Sequence, residues 1–291
     1  MRFQSLVLSL LFATGCLCGS AQGLPPLGQS TDQKPAAAPS GKLSVEAANA
    51  DLKTARTANQ EKRYADAETL MQRDTAMRSD MPYLWIELGL AQLAQKKYDD
   101  AETSFKAALG NSGAHLPSTA STGGFYAADG KGTHTGVTIS DTPVAVGVGK
   151  RNPEVEGTAN AGLGEIYVHN GKVAEAKAAF DQAATANPTQ APLYYRNEAI
   201  FFLQVGNAVE QAAAADKAIA VDPTRAVLYF YKGQGLAAQS TVDPKTQKLT
   251  LPAGCAEALQ RYLDLDPSGP YVADVKGMLT AAGVPIKTAK K

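Results

Sequence analysis

The chain has 291 residues, enough for one or two domains with ample core, and its 28 Lys and Arg balance its 28 Asp and Glu. A formal charge of zero argues against nucleic acid or an anionic membrane as the primary partner, because neither would be drawn by a strong field. Abundant Ala with Leu, Gln, Lys and Glu, against few aromatics, favours helix.

The first 21 residues read as a signal peptide. Arg2 supplies the positive start, and the apolar run "LVLSLLFATG", Leu6 to Gly15, is too short to span a bilayer but suits a signal-peptide core. Gly19 and Ala21 fit cleavage after Ala21. A second reading stays open: "ATGC" resembles a bacterial lipobox with Cys16 as the lipidated residue, although Ala13 stands where Leu is usual. Both readings predict an exported protein, periplasmic or associated with the outer envelope, with secretion a further possibility. No later stretch is long and apolar enough to cross a membrane. Cys18 goes with the leader under either reading, which leaves Cys255 alone as a small buried apolar residue. Residues 22–42, rich in Pro, Ala, Gly and Ser, predict a disordered linker.

From Leu43 helical periodicity takes over. Residues 43–109 divide into two helical hairpins. The first is marked only by Tyr64, Ala67 and Met71; the second carries Trp85, Leu88, Gly89, Tyr98, Ala101, Phe105 and Ala108. Residues 110–156, rich in Gly, Ser and Thr, then interrupt the pattern. Within them Val137, Ile139, Val144, Val146 and Val148 alternate around a turn at "SDTP", which predicts a β-hairpin. Three more hairpins fill 157–267. One carries Leu163, Gly164, Tyr167, Gly171, Ala176, Phe180, Ala183 and Pro188; the next Tyr195, Ala199, Phe202, Gly206, Ala215, Ala218 and Pro223. The last begins with Tyr229, Gly233 and Leu236 and closes at Pro267 after a second insertion, 240–254, whose Val242, Leu249 and Leu251 predict a small hairpin. Residues 268–284 predict one amphipathic capping helix with Tyr271, Val275, Met278 and Leu279 on its apolar side.

These spacings resemble the tetratricopeptide repeat, a 34-residue helix–turn–helix unit, in about five copies. Asn160 and Gln211 depart from the family pattern, and the first copy is degenerate, as suits a terminal repeat. Small residues such as Gly89, Gly164, Ala101 and Ala108 fall where two helices cross, and large ones such as Trp85, Leu88 and Phe105 fill the gaps between crossings. A single hairpin cannot bury its apolar face, so neighbours must stack on it. The expected fold is therefore all-α, a tetratricopeptide-repeat α-solenoid with an inserted β-hairpin-like segment and a C-terminal capping helix. The resemblance further implies a concave surface lined by the first helix of each pair.

Catalytic patterns are absent from the sequence. His115, His134 and His169 have no metal-ligand spacing, and no acidic or cysteine cluster completes a site. "GVGK" fails as a phosphate loop because Val144 stands where Gly is needed and Arg151 follows Lys150. "GLGEIY" lies inside a repeat helix, where Gly164 is a packing residue. No Gly-x-Ser-x-Gly elbow occurs, and Asp99 and Asp100 open a second helix, where carboxylates suit the positive dipole end. The expectation is a scaffold, not an enzyme, with no metal and no cofactor.

The family's groove positions map onto Tyr83, Ile86 and Leu90; Glu165 and His169; Arg196, Ile200 and Gln204; and Phe230 and Gln234, with Asn197 beside Arg196 able to help hold an anion. The resemblance thus implies binding of a protein or peptide partner, extended or helical, with apolar side chains. The Lys and Asn set of carboxylate-clamping repeats is missing. Two alternatives remain: an envelope-anchored structural lipoprotein held through Cys16, and a binder of glycan or a small ligand through 110–156, where Phe125 and Tyr126 could stack on sugars.

Overall fold

A computed structural model describes residues 43–112, 151–242, 244–245 and 249–287. The expectations for the leader, the linker and the hairpin around "SDTP" lie outside them. The described residues contain eleven α-helices in chain order: α1 (Val45–Gln60), α2 (Tyr64–Met77), α3 (Pro82–Ala94), α4 (Tyr98–Gly110), α5 (Pro153–His169), α6 (Val173–Ala186), α7 (Ala191–Gln204), α8 (Ala208–Val221), α9 (Ala226–Ala237), α10 (Cys255–Leu265) and α11 (Val272–Ala281). Between α9 and α10 lie two short antiparallel strands, β1 (Thr241–Val242) and β2 (Leu249–Thr250), with Val242 opposite Leu249. None of the described helices is long and apolar enough to cross a membrane.

Local chemistry sets the helix starts. The Ser44 hydroxyl accepts from the Ala47 N–H at 3.1 Å and caps α1. Pro82 opens α3, where a missing N–H costs nothing. Asn152 caps α5 with its side-chain oxygen on the N–H groups of Glu154 and Val155, and Pro153 follows at the first helical position. This cap-plus-proline signal starts α5 ahead of Gly157, where the repeat pattern alone would begin it. Asn207 caps α8 by accepting from Glu210.

The turn inside each hairpin needs one residue in the left-handed region. Gly171 and Gly206 supply it at φ 70° and 74°, as glycine does without steric cost; Lys62 and Lys96 occupy the equivalent turns at φ 61°.

Consecutive helices pair antiparallel, and the odd-numbered helices also touch one another in sequence: α1 on α3, α3 on α5, α5 on α7, α7 on α9. They therefore form one continuous row, with their even-numbered partners behind them. This is the repeat stack of an all-α solenoid. Helix α5 packs on both α3 and α4, so the repeats flanking the large insertion are spatial neighbours.

The small residues act as the crossing geometry requires. A Cβ on Gly89 would lie 2.8 Å from the Phe105 ring, one on Gly164 2.7 Å from Phe180, and one on Gly233 2.4 Å from Leu259. Each large residue comes from the second helix of the glycine's own hairpin. Phe105 also meets the next repeat: a Cβ on Gly162 would sit 2.4 Å from its ring. At the far end, α11 covers the last hairpin with Val275 and Leu279, both fully buried. The Tyr271 ring lies parallel to Phe230 at 4.0 Å, and its N–H donates to the Tyr262 hydroxyl at 3.0 Å. Cys255 is buried with its Sγ 3.4 Å from the Gly233 carbonyl oxygen.

Candidate functional site

The row of odd-numbered helices carries the residues that sequence spacing assigns to partner binding. They divide into three groups by what surrounds them.

Near the first repeats the row is closed by a polar chain. The Arg56 guanidinium donates to Glu87 at 2.9 Å and lies over the Tyr83 ring at 5.7 Å. Asn59 donates to the second Glu87 oxygen at 3.2 Å. The Tyr83 hydroxyl donates to Glu154 at 3.0 Å and accepts from Asn152 at 2.8 Å. Burial and the neighbouring Glu154 charge push the Tyr83 phenol well above its ordinary range, and burial raises Glu154. Tyr83, Ile86 and Leu90 are all buried here.

At the other end Phe230 is buried among Tyr231, Tyr262 and Tyr271. Gln234 is half-buried and accepts from Gln211, 3.1 Å away.

Between the two lies a more open stretch on α5 and α7. Glu165 and His169 are one helical turn apart and face each other at 3.9 Å, with side chains 20% and 25% exposed. The His169 imidazole stacks on Tyr98 at 5.1 Å and meets Phe201 edge-on at 6.3 Å. Burial pushes the Glu165 carboxyl up to about 8, while burial and the Lys96 charge lower His169. At neutral pH the pair is therefore an acid beside a neutral ring, not an ion pair. Beyond it, Arg196 is half-buried, Gln204 exposed and Ile200 buried. Asn197 is fully buried, and among the described residues neither end of its amide has a hydrogen-bond partner.

The structure thus brings Glu165 and His169 together, places Arg196 and Gln204 on the next helix of the row, and leaves Tyr83 and Phe230 in separate packed clusters. Sequence spacing reads Tyr98 only as a packing residue and gives no sign of Phe201, because both reach His169 from neighbouring repeats. A cleft of about 370 Å³, lined by Arg151, Glu156, Asn160, Asp181, Gln182, Thr185 and Ala186, opens between α5 and α6. Among the described residues no three His, Cys, Asp or Glu side chains gather closely enough to hold a metal ion.

Two stretches of the chain match tetratricopeptide-repeat family models, residues 52–115 and 158–190. With the helix stack and its glycine crossings, these matches make it a tetratricopeptide-repeat-containing protein. Such repeats serve in general as scaffolds for protein–protein interaction. Among solved structures, the chain is similar to a thermophilic TPR protein of Thermus thermophilus, with 14% identity over 82% of this chain and all of that one and a TM-score of 0.44. It is also similar to PilF of Pseudomonas aeruginosa, with 11% identity over 82% of this chain and 89% of that one, at TM-score 0.44. YrrB, a TPR protein with an unusual peptide-binding site, matches at 12% identity over 78% of this chain and 90% of that one, again at 0.44. No curated protein matches the chain.

Proposed function

We propose that the chain is an exported, non-catalytic scaffold that binds a protein or peptide partner along the row of odd-numbered helices, in the periplasm or at the outer envelope. The observation that carries this reading is the open stretch on α5 and α7. There, Glu165, His169 and Arg196 are part-exposed and Gln204 is exposed, and the four follow one another across two repeats. Export is supported by Arg2, the apolar run from Leu6 to Gly15 and the small residues Gly19 and Ala21.

The test is crosslinking in intact cells followed by recovery of the full chain, in parallel with an Arg196→Glu, Gln204→Arg double variant. Recovery of a partner by the wild type and its loss in the folded variant supports the reading. Identical recovery by both, or none by either, overturns it. Fractionation of the same cells tests export, and a chain found in the cytoplasm refutes that part.

Cys16 within "ATGC" favours a second reading of the anchor, in which the scaffold is lipid-tethered. Cys16→Ser should then move the chain from the membrane to the soluble envelope fraction and abolish metabolic lipid labelling; unchanged fractionation without label rules it out.

A further inference from the structure

We propose that Glu165 sets the specificity of this face by receiving a lysine or arginine side chain of the bound segment, with Tyr98 as the neighbouring aromatic ring. This rests on the reading that the α5–α7 stretch binds a peptide or protein segment.

The carboxyls of the odd-numbered helices differ in what answers them. Glu87 receives the Arg56 guanidinium and the Asn59 amide, at 2.9 and 3.2 Å. Glu154 receives the Tyr83 hydroxyl at 3.0 Å. Glu198 faces the Lys217 ammonium at 3.4 Å. Each half-buried or buried acid has a donor, as the cost of withdrawing a carboxylate from water demands. Glu165 is the exception. Four-fifths of its side chain is withdrawn from solvent, yet among the described residues its nearest partner is His169 at 3.9 Å, beyond hydrogen-bond reach. Lys96 acts on His169, whereas the Glu165 shift has burial as its only cause.

A carboxyl so placed discriminates strongly. An apolar or acidic side chain set against it leaves a desolvated acid unanswered or adds a second one, whereas an ammonium or guanidinium supplies the missing donor. The surroundings suit a cation as well. His169 packs between Tyr98 and Phe201, and the Tyr98 phenol lies near enough to feel the Glu165 charge. Tyr98 is only half-buried, so an aromatic ring stands beside the acid for an incoming cation, while buried Phe201 holds His169 from the other side. Burial holds a proton on Glu165 up to about pH 8, so an arriving cation displaces that proton and binding releases it to the medium.

The experiment pans a phage-displayed library of random twelve-residue peptides on the immobilised full chain, on Glu165→Gln and on Glu165→Lys. The wild type is expected to enrich Lys or Arg at one fixed position. Glu165→Gln should lose that enrichment while still selecting the other positions, and Glu165→Lys should replace it with Asp or Glu. A selected peptide whose basic residue is changed to norleucine should bind the wild type at least tenfold more weakly and Glu165→Gln no differently. Peptides selected without a basic preference, or with the same preference on all three chains, overturn the proposal while leaving the binding face standing. Failure to select any peptide overturns the binding reading itself, and this inference with it.

Discussion

The backbone N–H of Asn152 donates to the carbonyl of Ser112 at 3.2 Å, although the whole insertion separates them in sequence. The Ser112 hydroxyl also reaches Glu156 at 3.0 Å, and the Asn152 amide donates to Tyr83 at 2.8 Å. The two ends of the insertion therefore meet at one point, and α4 passes to α5 as one repeat passes to the next. Replacing residues 113–150 with a short Gly-Ser bridge should leave a folded helical stack. Loop-closure entropy alone then favours the shortened chain by about 2 kcal/mol at most. Circular dichroism with a thermal melt reads this directly: retained helicity and one cooperative transition are expected, and a loss of helical signal contradicts it.

The same junction predicts a costly point substitution. Asn152→Ala removes the α5 cap and the donor to Tyr83 together. Losing a cap costs about 1 kcal/mol, and losing one of the two hydrogen bonds at the buried Tyr83 hydroxyl, which still donates to Glu154, adds about the same. Urea denaturation should show a destabilisation of about 2 kcal/mol, while Asn152→Asp, which keeps the cap acceptor, should lose less. Equal losses in the two variants would refute the capping role.

Phe105 lies against Gly89 of its own repeat and Gly162 of the next, so one ring fixes both crossings. A methyl at Gly162 would stand 2.4 Å from that ring, and the ring has backbone on two sides. Gly162→Ala should therefore destabilise despite the better helix propensity of alanine, by about 1–3 kcal/mol. Phe105→Leu in the same chain should recover part of the loss. Strictly additive effects in the double-mutant cycle would show that the ring and the glycine do not meet.

The crossings of Gly89 on Phe105 and of Gly164 on Phe180 were legible in the sequence because close helix approach admits only small residues, and does so at a fixed spacing; Gly233 was legible too, but its partner Leu259 lies beyond the second insertion and was not. Other features left no such trace. Arg56, Glu87, Tyr83, Asn152 and Glu154 form one polar chain across three repeats, and no local periodicity links residues so far apart. Repeat spacing put Tyr83, Ile86 and Leu90 on the same row as Glu165. It could not tell that neighbouring side chains cover the first three while Glu165 keeps a window to solvent. The start of α5 was written in Asn152-Pro153 but lay outside the repeat register.

Lys62 and Lys96 hold the left-handed position that Gly171 and Gly206 occupy in the later hairpins. A side chain there costs about 1 kcal/mol relative to glycine. Both lysines are exposed, and no ion pair ties either down among the described residues. Lys62→Gly should therefore raise the melting temperature by about 2–4 °C, less the entropy that glycine restores to the unfolded chain. Lys96→Gly should do the same and also lift the smaller part of the His169 depression that comes from the Lys96 charge rather than from burial, so that its titration by NMR moves upward. A lower melting temperature in Lys62→Gly would refute the strain argument.

Stability should fall as the medium turns alkaline, and Glu165 should carry much of the fall. Burial raises its carboxyl to about 8, and that of Glu198 to about 7. In the unfolded chain both return to about 4.3. Between those values the folded state holds protons that the unfolded state has released, so this contribution is complete below about pH 4.3 and is lost as the pH rises towards 8. His169 acts in the opposite sense. Its lowered folded value makes the unfolded chain the better proton binder just below 6.5, which adds stability as the pH rises through that point. Urea midpoints measured from pH 5 to pH 9 should therefore decline overall in the wild type. In Glu165→Gln the decline between pH 6 and pH 8 should be shallower, since an amide has no proton to lose. Parallel curves for the two chains would mean that Glu165 is no more desolvated in the fold than in the unfolded chain.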